Sequence, residues 1–235
     1  MTVQQIMTEL KSRGDEQIKK IFLKHGVKEP FFGVRIEYLK AIQKKIKTDY
    51  KLALDLYATG NADAMYLAGL ITDDASMTKA DLQTWVKQAV SNNISEYTVP
   101  WVASGSRHGY ELGMRWINAK EDHIVTAGWA TLGGWVATRP DEALNLPAIK
   151  DLLQKVKKEI HGAPNRVRYT MNNFVICVGS YVKPLTADAM ATAAAIGEVT
   201  VNMNGTACKV PSAAEYIQKV RDKGKWGVKK KTMKC

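Results

Sequence analysis

Cysteine is scarce in this 235-residue chain: Cys177, Cys208 and Cys235 are the whole complement, an odd number with no Cys-x-x-Cys spacing. That excludes a disulfide framework and makes a reducing cytoplasm the expected compartment. Histidine is as thin. His25, His108, His123 and His161 lie far apart and show none of the close pairing that metal sites use, so neither a metal nor any other cofactor is expected. No window approaches the ~18 uninterrupted apolar residues of a membrane span. The opening MTVQQIMTELKSRG holds no apolar signal core. Acidic residues are short as well, at 23 against 34 Lys and Arg, which leaves a formal charge of +11.

A surplus of that size calls for a polyanionic partner or serves as a basic solubility coat, and its distribution favours the partner. Residues 1–50 carry 11 basic side chains against 6 acidic, residues 51–148 carry 7 against 11, and residues 149–235 carry 16 against 6. Both ends are basic and the middle is mildly acidic. A localised patch acts as an electrostatic footprint in a way that a uniform haze does not.

Apolar spacing along the chain is almost entirely helical. It predicts helices over 3–12, 15–25, 34–47, 51–58, 62–73 and 79–91, the last capped by Thr78. Further helices are expected at 107–118, 121–137, 147–160, 165–182, 187–196 (capped by Thr186) and 212–222. Pro100 disfavours helical geometry at Val99, so a helix is expected to begin near Pro100 rather than run through it. One segment reads differently. VTVNMNGTACKV, residues 199–210, sets an Asn-Gly pair between β-prone runs and predicts a hairpin that pairs Met203 with Thr206, Val201 with Cys208 and Val199 with Val210. The tail from 223 is basic and expected to fray. Short helices with short links, grouped every 35–45 residues or so, suggest an all-α HEAT- or armadillo-like solenoid. It would form one domain over 1–222, with 198–222 as an extension and 223–235 as a basic tail; a globular all-α domain is the alternative.

The aromatic side chains concentrate in 94–135. Four of the six tryptophans, Trp101, Trp116, Trp129 and Trp135, stand there with Tyr97, Tyr110 and several glycines. Tyr97 and Trp101 read either as an aromatic wall facing a base or as packing between repeats. Gly128, Gly133 and Gly134 beside indoles read as close helix packing. Arg107 and His108 follow a Ser-Gly-Ser turn at a helix start, where backbone N–H groups assist phosphate binding. Lys155, Lys157 and Lys158, with Arg166, Arg168 and Asn173, form the basic pair of helices best suited to track a nucleic-acid backbone. On 165–182 a buried stripe is accompanied by a second, polar one: Arg166, Thr170, Asn173 and Cys177.

FFGVRIEYLKAIQKKI, at 31–46, and NADAMYLAGLITDD, at 61–74, resemble the first repeats of AlkD-like DNA alkylation repair proteins, and the order of segments stays similar through 183. The resemblance implies a HEAT-like solenoid that holds duplex DNA in a basic concave groove. It also implies excision of N-alkylated purines, with a fixed carboxylate stabilising the cationic sugar and aromatic walls assisting. In register, the family's tryptophan falls at Tyr97 and its catalytic aspartate at Trp101. Its groove arginine falls near Ala127 and its second tryptophan near Asn173. No Trp, Tyr or Phe in the chain has Asp or Glu four residues later.

Three functions stay open on the residues. The first is duplex-DNA binding by a monomeric, cytoplasmic repeat protein that lacks the family's glycosylase chemistry. The second is an active 3-methyladenine or 7-methylguanine glycosylase with a relocated carboxylate, Glu96 or Glu111. The third is a protein–protein scaffold.

Overall fold

The computed structural model describes residues 1–234, and the terminal Cys235 lies outside the described residues. The first half comprises α1 (Val3–Ser12), α2 (Glu16–Lys24), α3 (Ile36–Ile46), α4 (Tyr50–Tyr57), α5 (Ala62–Ile71) and α6 (Lys79–Gln88). Then come α7 (Val99–Gly105), α8 (Gly109–Trp116), α9 (Asp122–Thr138), α10 (Leu146–Glu159), α11 (Asn165–Tyr181), α12 (Thr186–Ile196) and α13 (Ala213–Asp222). Local sequence sets most of the starts. Asp15, Asp49, Asn61, Thr78, Asn145 and Ser212 each accept a backbone N–H from the first turn they precede, satisfying donors a helix leaves orphaned. Thr186 is the exception to expectation. It is the first residue of α12, and its hydroxyl donates back to the carbonyls of Gly179 and Val182 instead of capping.

The helices form two layers. Contacts run in succession from α3 to α5, α7, α9, α11 and α13, which makes the odd-numbered helices one layer; α4, α6, α8, α10 and α12 back it. This is the stacked-repeat plan the spacing suggests, because each pair buries its apolar stripe only against its neighbours. The core divides accordingly. One cluster centres on Leu39, Leu67, Trp85 and Val102, and another on Trp129, Phe174 and Ile217. Helix α9 joins them. A Cβ on Gly128 would stand 2.7 Å from the Ile117 backbone nitrogen, and one on Gly134 would stand 2.6 Å from Ser104 Oγ. The glycines beside the indoles therefore serve helix packing.

The two segments that carry the family resemblance meet in the N-terminal half. The Asp63 carboxylate accepts the N–H groups of Phe32, Gly33 and Val34 at 2.6, 3.1 and 3.3 Å. Burial raises its pKa and the three backbone donors lower it. This pairing is architectural: it fixes how the first repeat docks on the second.

Three expectations are corrected. Helical geometry does run through the Pro100 region: a π-helical turn at Ile94–Thr98 leads directly into α7, with the Val99 N–H bonded to the Ile94 carbonyl. The wider turn absorbs the donor that proline lacks and the crowding of its ring. The hairpin does not form. Asn204 and Gly205 do take the left-handed conformation (φ 54° and 70°), and Thr206 N–H reaches the Met203 carbonyl at 3.1 Å, so the turn is made as its residues dictate. Beyond it there is no strand among the described residues. Side chains of α11 tie down the chain on both sides of the turn instead. Asn165 bonds both the N–H and the carbonyl of Asn202 (2.7 and 2.9 Å), Arg168 donates to the Thr200 carbonyl (3.0 Å), and Asn172 donates to that of Pro211 (2.9 Å). Val199 and Val201 are buried in the C-terminal core all the same.

The basic tail does not fray. Trp226 Nε1 donates to Thr186 Oγ1 at 2.8 Å, and Gly227 N–H to the Ser180 carbonyl at 2.8 Å. Lys229 pairs with Asp141 at 2.7 Å, Met233 packs against Gly134, and Lys234 pairs with Asp74 at 2.7 Å. The tail is a strap from α11 across α9 to the turn after α5. Its lysines hold it by neutralising carboxylates distant in sequence.

Candidate nucleic-acid interface

The odd-helix layer is hollowed along its length by two adjoining clefts that share Glu96, Tyr97 and Tyr169. The first, of about 350 Å³, is walled by the π turn and α7 (Tyr97, Trp101), α9 (Trp129, Gly133), α11 (Tyr169, Asn173, Cys177) and the strap (Lys230, Met233). The second, of about 390 Å³, runs from Lys24 and His25 after α2 to Met203 and Lys209 of the extension. Together they make one trough, with Tyr97 and Tyr169 where the clefts join, Lys230 in the first and Lys24 and Lys209 in the second.

Trp101 occupies both of the roles open to it. It is 8% exposed, meets Tyr66 edge-on at 5.4 Å, and still presents part of its ring to the cleft. Tyr97, 6.0 Å from it between centroids and 41% exposed, is the open aromatic face of the trough. Burial raises the Tyr97 pKa, and the neighbouring Tyr169 and Glu96 raise it further, so the phenol stays protonated. Asn173 lines the first cleft, and its carboxamide makes no hydrogen bond among the described residues.

Glu96 is the one carboxylate among the residues lining the trough. Arg166 holds it in a bidentate pair, Nε–Oε1 2.5 Å and Nη2–Oε2 2.6 Å, and lies over the Tyr169 ring at 4.6 Å. Burial raises the Glu96 pKa, and the guanidinium opposes that rise. Two residues 70 apart in sequence thus neutralise each other beside Tyr169. The pair sets the charge of Arg166 against that of Glu96.

The other sequence candidates fall elsewhere. Arg168 is spent on the carbonyls of Ala163 and Thr200. Lys155 pairs with Glu159, and with Lys158 it lines a separate groove on the Val167–Met171 side of α11; Lys157 is exposed on α10. Arg107, exposed, bonds His108 beside α8, and neither lines the trough. Glu111 is an exposed partner of Lys79 on α8, and that ammonium lowers its pKa. The expected continuous basic helix pair is therefore divided between two faces.

Sequence reasoning did not single out the cleft residues Tyr169, Tyr181, Tyr216, Lys24 and Lys209, and it placed Lys230 only in a non-specific electrostatic arm of the tail, Lys229–Lys231. A signal for α11 existed in the polar stripe Arg166, Thr170, Asn173 and Cys177, whose members line the two clefts. Burial pushes the Cys177 thiol up to about 11, so it is a poor nucleophile. Nothing local marked Lys230 as a residue of the cleft, because its position depends on the strap. Among the described residues no group of three or more His, Cys, Asp and Glu could hold a metal ion. Among the same residues no helix is long and apolar enough to cross a membrane.

Comparisons with known proteins agree with this architecture. Lmo0209, an uncharacterised protein of Listeria monocytogenes, is 32% identical over 231 residues, 96% of this chain and 100% of its own length. Lin0241 of Listeria innocua, also uncharacterised, is 31% identical over 229 residues, 95% and 99% of the two chains. A solved structure described as "a new family of proteins related to the HEAT-like repeat DNA glycosylases with affinity for branched DNA structures" matches with a TM-score of 0.90 at 36% identity, each chain covered in full. The family model for DNA alkylation repair enzymes matches residues 6–217. With its stacked helices, its aromatic trough and that match over nearly its whole length, this chain belongs to the DNA alkylation repair enzyme family.

Proposed function

We propose that the protein binds branched duplex DNA along the trough and does not break N-glycosidic bonds by the family's carboxylate mechanism. The observation that carries this reading is the state of the site's only acid: Trp101 stands where the family's aspartate is expected, and Glu96 is closed off by Arg166. A carboxylate stabilises a developing sugar cation only if its charge is uncommitted. Lys230 in the first cleft and Lys24 and Lys209 in the second are exposed and form no ion pair among the described residues, which suits contact with phosphates. The branched-DNA affinity ascribed to the solved relative fits a trough with uncommitted cations in both of its clefts, since a branch presents more than one backbone to them.

The test is electrophoretic retardation of a four-way junction and a linear duplex of matched sequence, at rising salt. The junction should bind more tightly, and affinity should drop by roughly 10³-fold between about 50 and 200 mM salt if six or so phosphates are engaged. Absence of binding to both at low salt refutes the proposal. A second arm incubates methylated duplex with the protein and measures abasic sites. None should form, and formation that is abolished by Glu96→Gln or Glu111→Gln would replace this reading with that of an active glycosylase.

A further inference from the structure

We propose that the cleft walled by Tyr97 and Asn173 captures a single unpaired nucleobase, with adenine preferred, at the branch point of the bound DNA. This rests on the DNA-binding reading above and names what the trough recognises. A space of about 350 Å³ lies at the small end of ligand sites and admits one nucleotide, not a duplex. Its walls are of the kind that unstacked bases seek. Tyr97 offers a 41% exposed ring, and Trp101 behind it is tilted by 53°, so a base sliding onto Tyr97 also meets the indole.

A polar reader shares the cleft. The Asn173 carboxamide is half-buried, lines the cleft and has no protein partner among the described residues. A side-chain amide whose NH₂ and carbonyl are both free, a donor beside an acceptor, is the complement of the N6/N7 edge of adenine. Lys230 supplies the matching cation. Its backbone is pinned by the bond from its N–H to the Ala137 carbonyl at 2.9 Å, and its ammonium sits over the Tyr181 ring at 5.4 Å, on the cleft wall, without an ion pair. A ring, an amide and an ammonium around one small space match the three parts of a nucleotide. A junction is where DNA exposes an unpaired base at least cost.

The experiment compares two three-way junctions that differ only in one unpaired branch-point residue, adenine or an abasic sugar, using the full-length protein. Wild type should bind the adenine junction roughly tenfold more tightly. Tyr97→Ala and Asn173→Ala should each bring that ratio toward one. Thermal melts control for folding, and Tyr97 is exposed enough that its truncation opens no core. Equal affinity of the wild type for both junctions overturns the inference and leaves DNA binding intact. If neither junction binds, the DNA-binding proposal fails, and a second measurement decides the cleft: titration of ¹⁵N-labelled protein with 2′-deoxyadenosine 5′-monophosphate. Saturable shifts of the Trp101 indole and Asn173 carboxamide signals, lost in Asn173→Ala, sustain the cleft as a nucleotide site; no shift refutes it.

Discussion

Removing Arg166 exposes the energetics of the trough floor most directly. The Glu96 side chain is 2% exposed and that of Arg166 21%, and two short bonds join them. Arg166→Ala deletes the cation and strands a carboxylate that water barely reaches. Breaking a buried pair from one side costs about 3–5 kcal/mol, which for a domain of this size lowers Tm by roughly 6–20 °C. The loss depends on pH with a definite sign. Without the guanidinium the Glu96 pKa in the folded state rises further above its unfolded value, so the native state of the variant binds the extra proton. Stability then falls as pH rises through that window and recovers as pH drops back toward the ordinary carboxylate range. Melts followed by circular dichroism at pH 7.5 and pH 5 test this. The Tm deficit against wild type should be large at pH 7.5 and clearly smaller at pH 5. The double variant Glu96→Leu/Arg166→Met, which removes both charges, should lie much closer to wild type. A deficit below about 1 kcal/mol, or one equal at both pH values, would refute the claim that Arg166 neutralises Glu96 in place.

Other perturbations probe the scaffold. Asp63→Ala orphans the N–H groups of Phe32, Gly33 and Val34 and should cost about 3 kcal/mol in urea unfolding, with Asp63→Asn milder. Gly128→Ala drives a methyl to 2.7 Å from the Ile117 backbone nitrogen, so a loss near 3 kcal/mol is expected by the same assay; a neutral result would mean that α8 and α9 are not so close. Truncation after Val228 leaves Asp74 without Lys234. Burial already raises that carboxyl, so the loss, roughly 2 kcal/mol, should be greatest at neutral pH and shrink on acidification, as thermal melts would show. Asn165→Ala frees the backbone of Asn202 and should speed hydrogen exchange across 200–206 with little change in Tm.

The helices and their caps were legible because they are local matters. Spacing marks the buried stripe, and an Asp, Asn, Ser or Thr at the right offset satisfies the first turn whatever surrounds it. The Asn-Gly turn belongs to the same class: its left-handed φ values follow from two residues and appear in the structure even though the strands do not. Strand pairing depends on what the fold brings alongside, and here Asn165, Arg168 and Asn172 tie both arms of the turn to α11. The site divides along the same line. Tyr97, Trp101 and Asn173 line the trough, whereas Lys155 and Lys158 share α10 but face a different groove, because periodicity assigns a side chain to a face and not to the neighbour beyond it.

The sequence by itself determined an all-helical stacked chain, a basic charge at both ends, and an aromatic segment without the spaced carboxylate that its family would use. Tertiary structure alone decided that Glu96 and Arg166, 70 residues apart, cancel each other, that a lysine-rich tail becomes a wall of the cleft, and that Asn173 is left without a partner. The physical reason is that burial and ion pairing depend on distance in space, and a residue's own neighbours in sequence carry no record of which distant charge will be brought beside it.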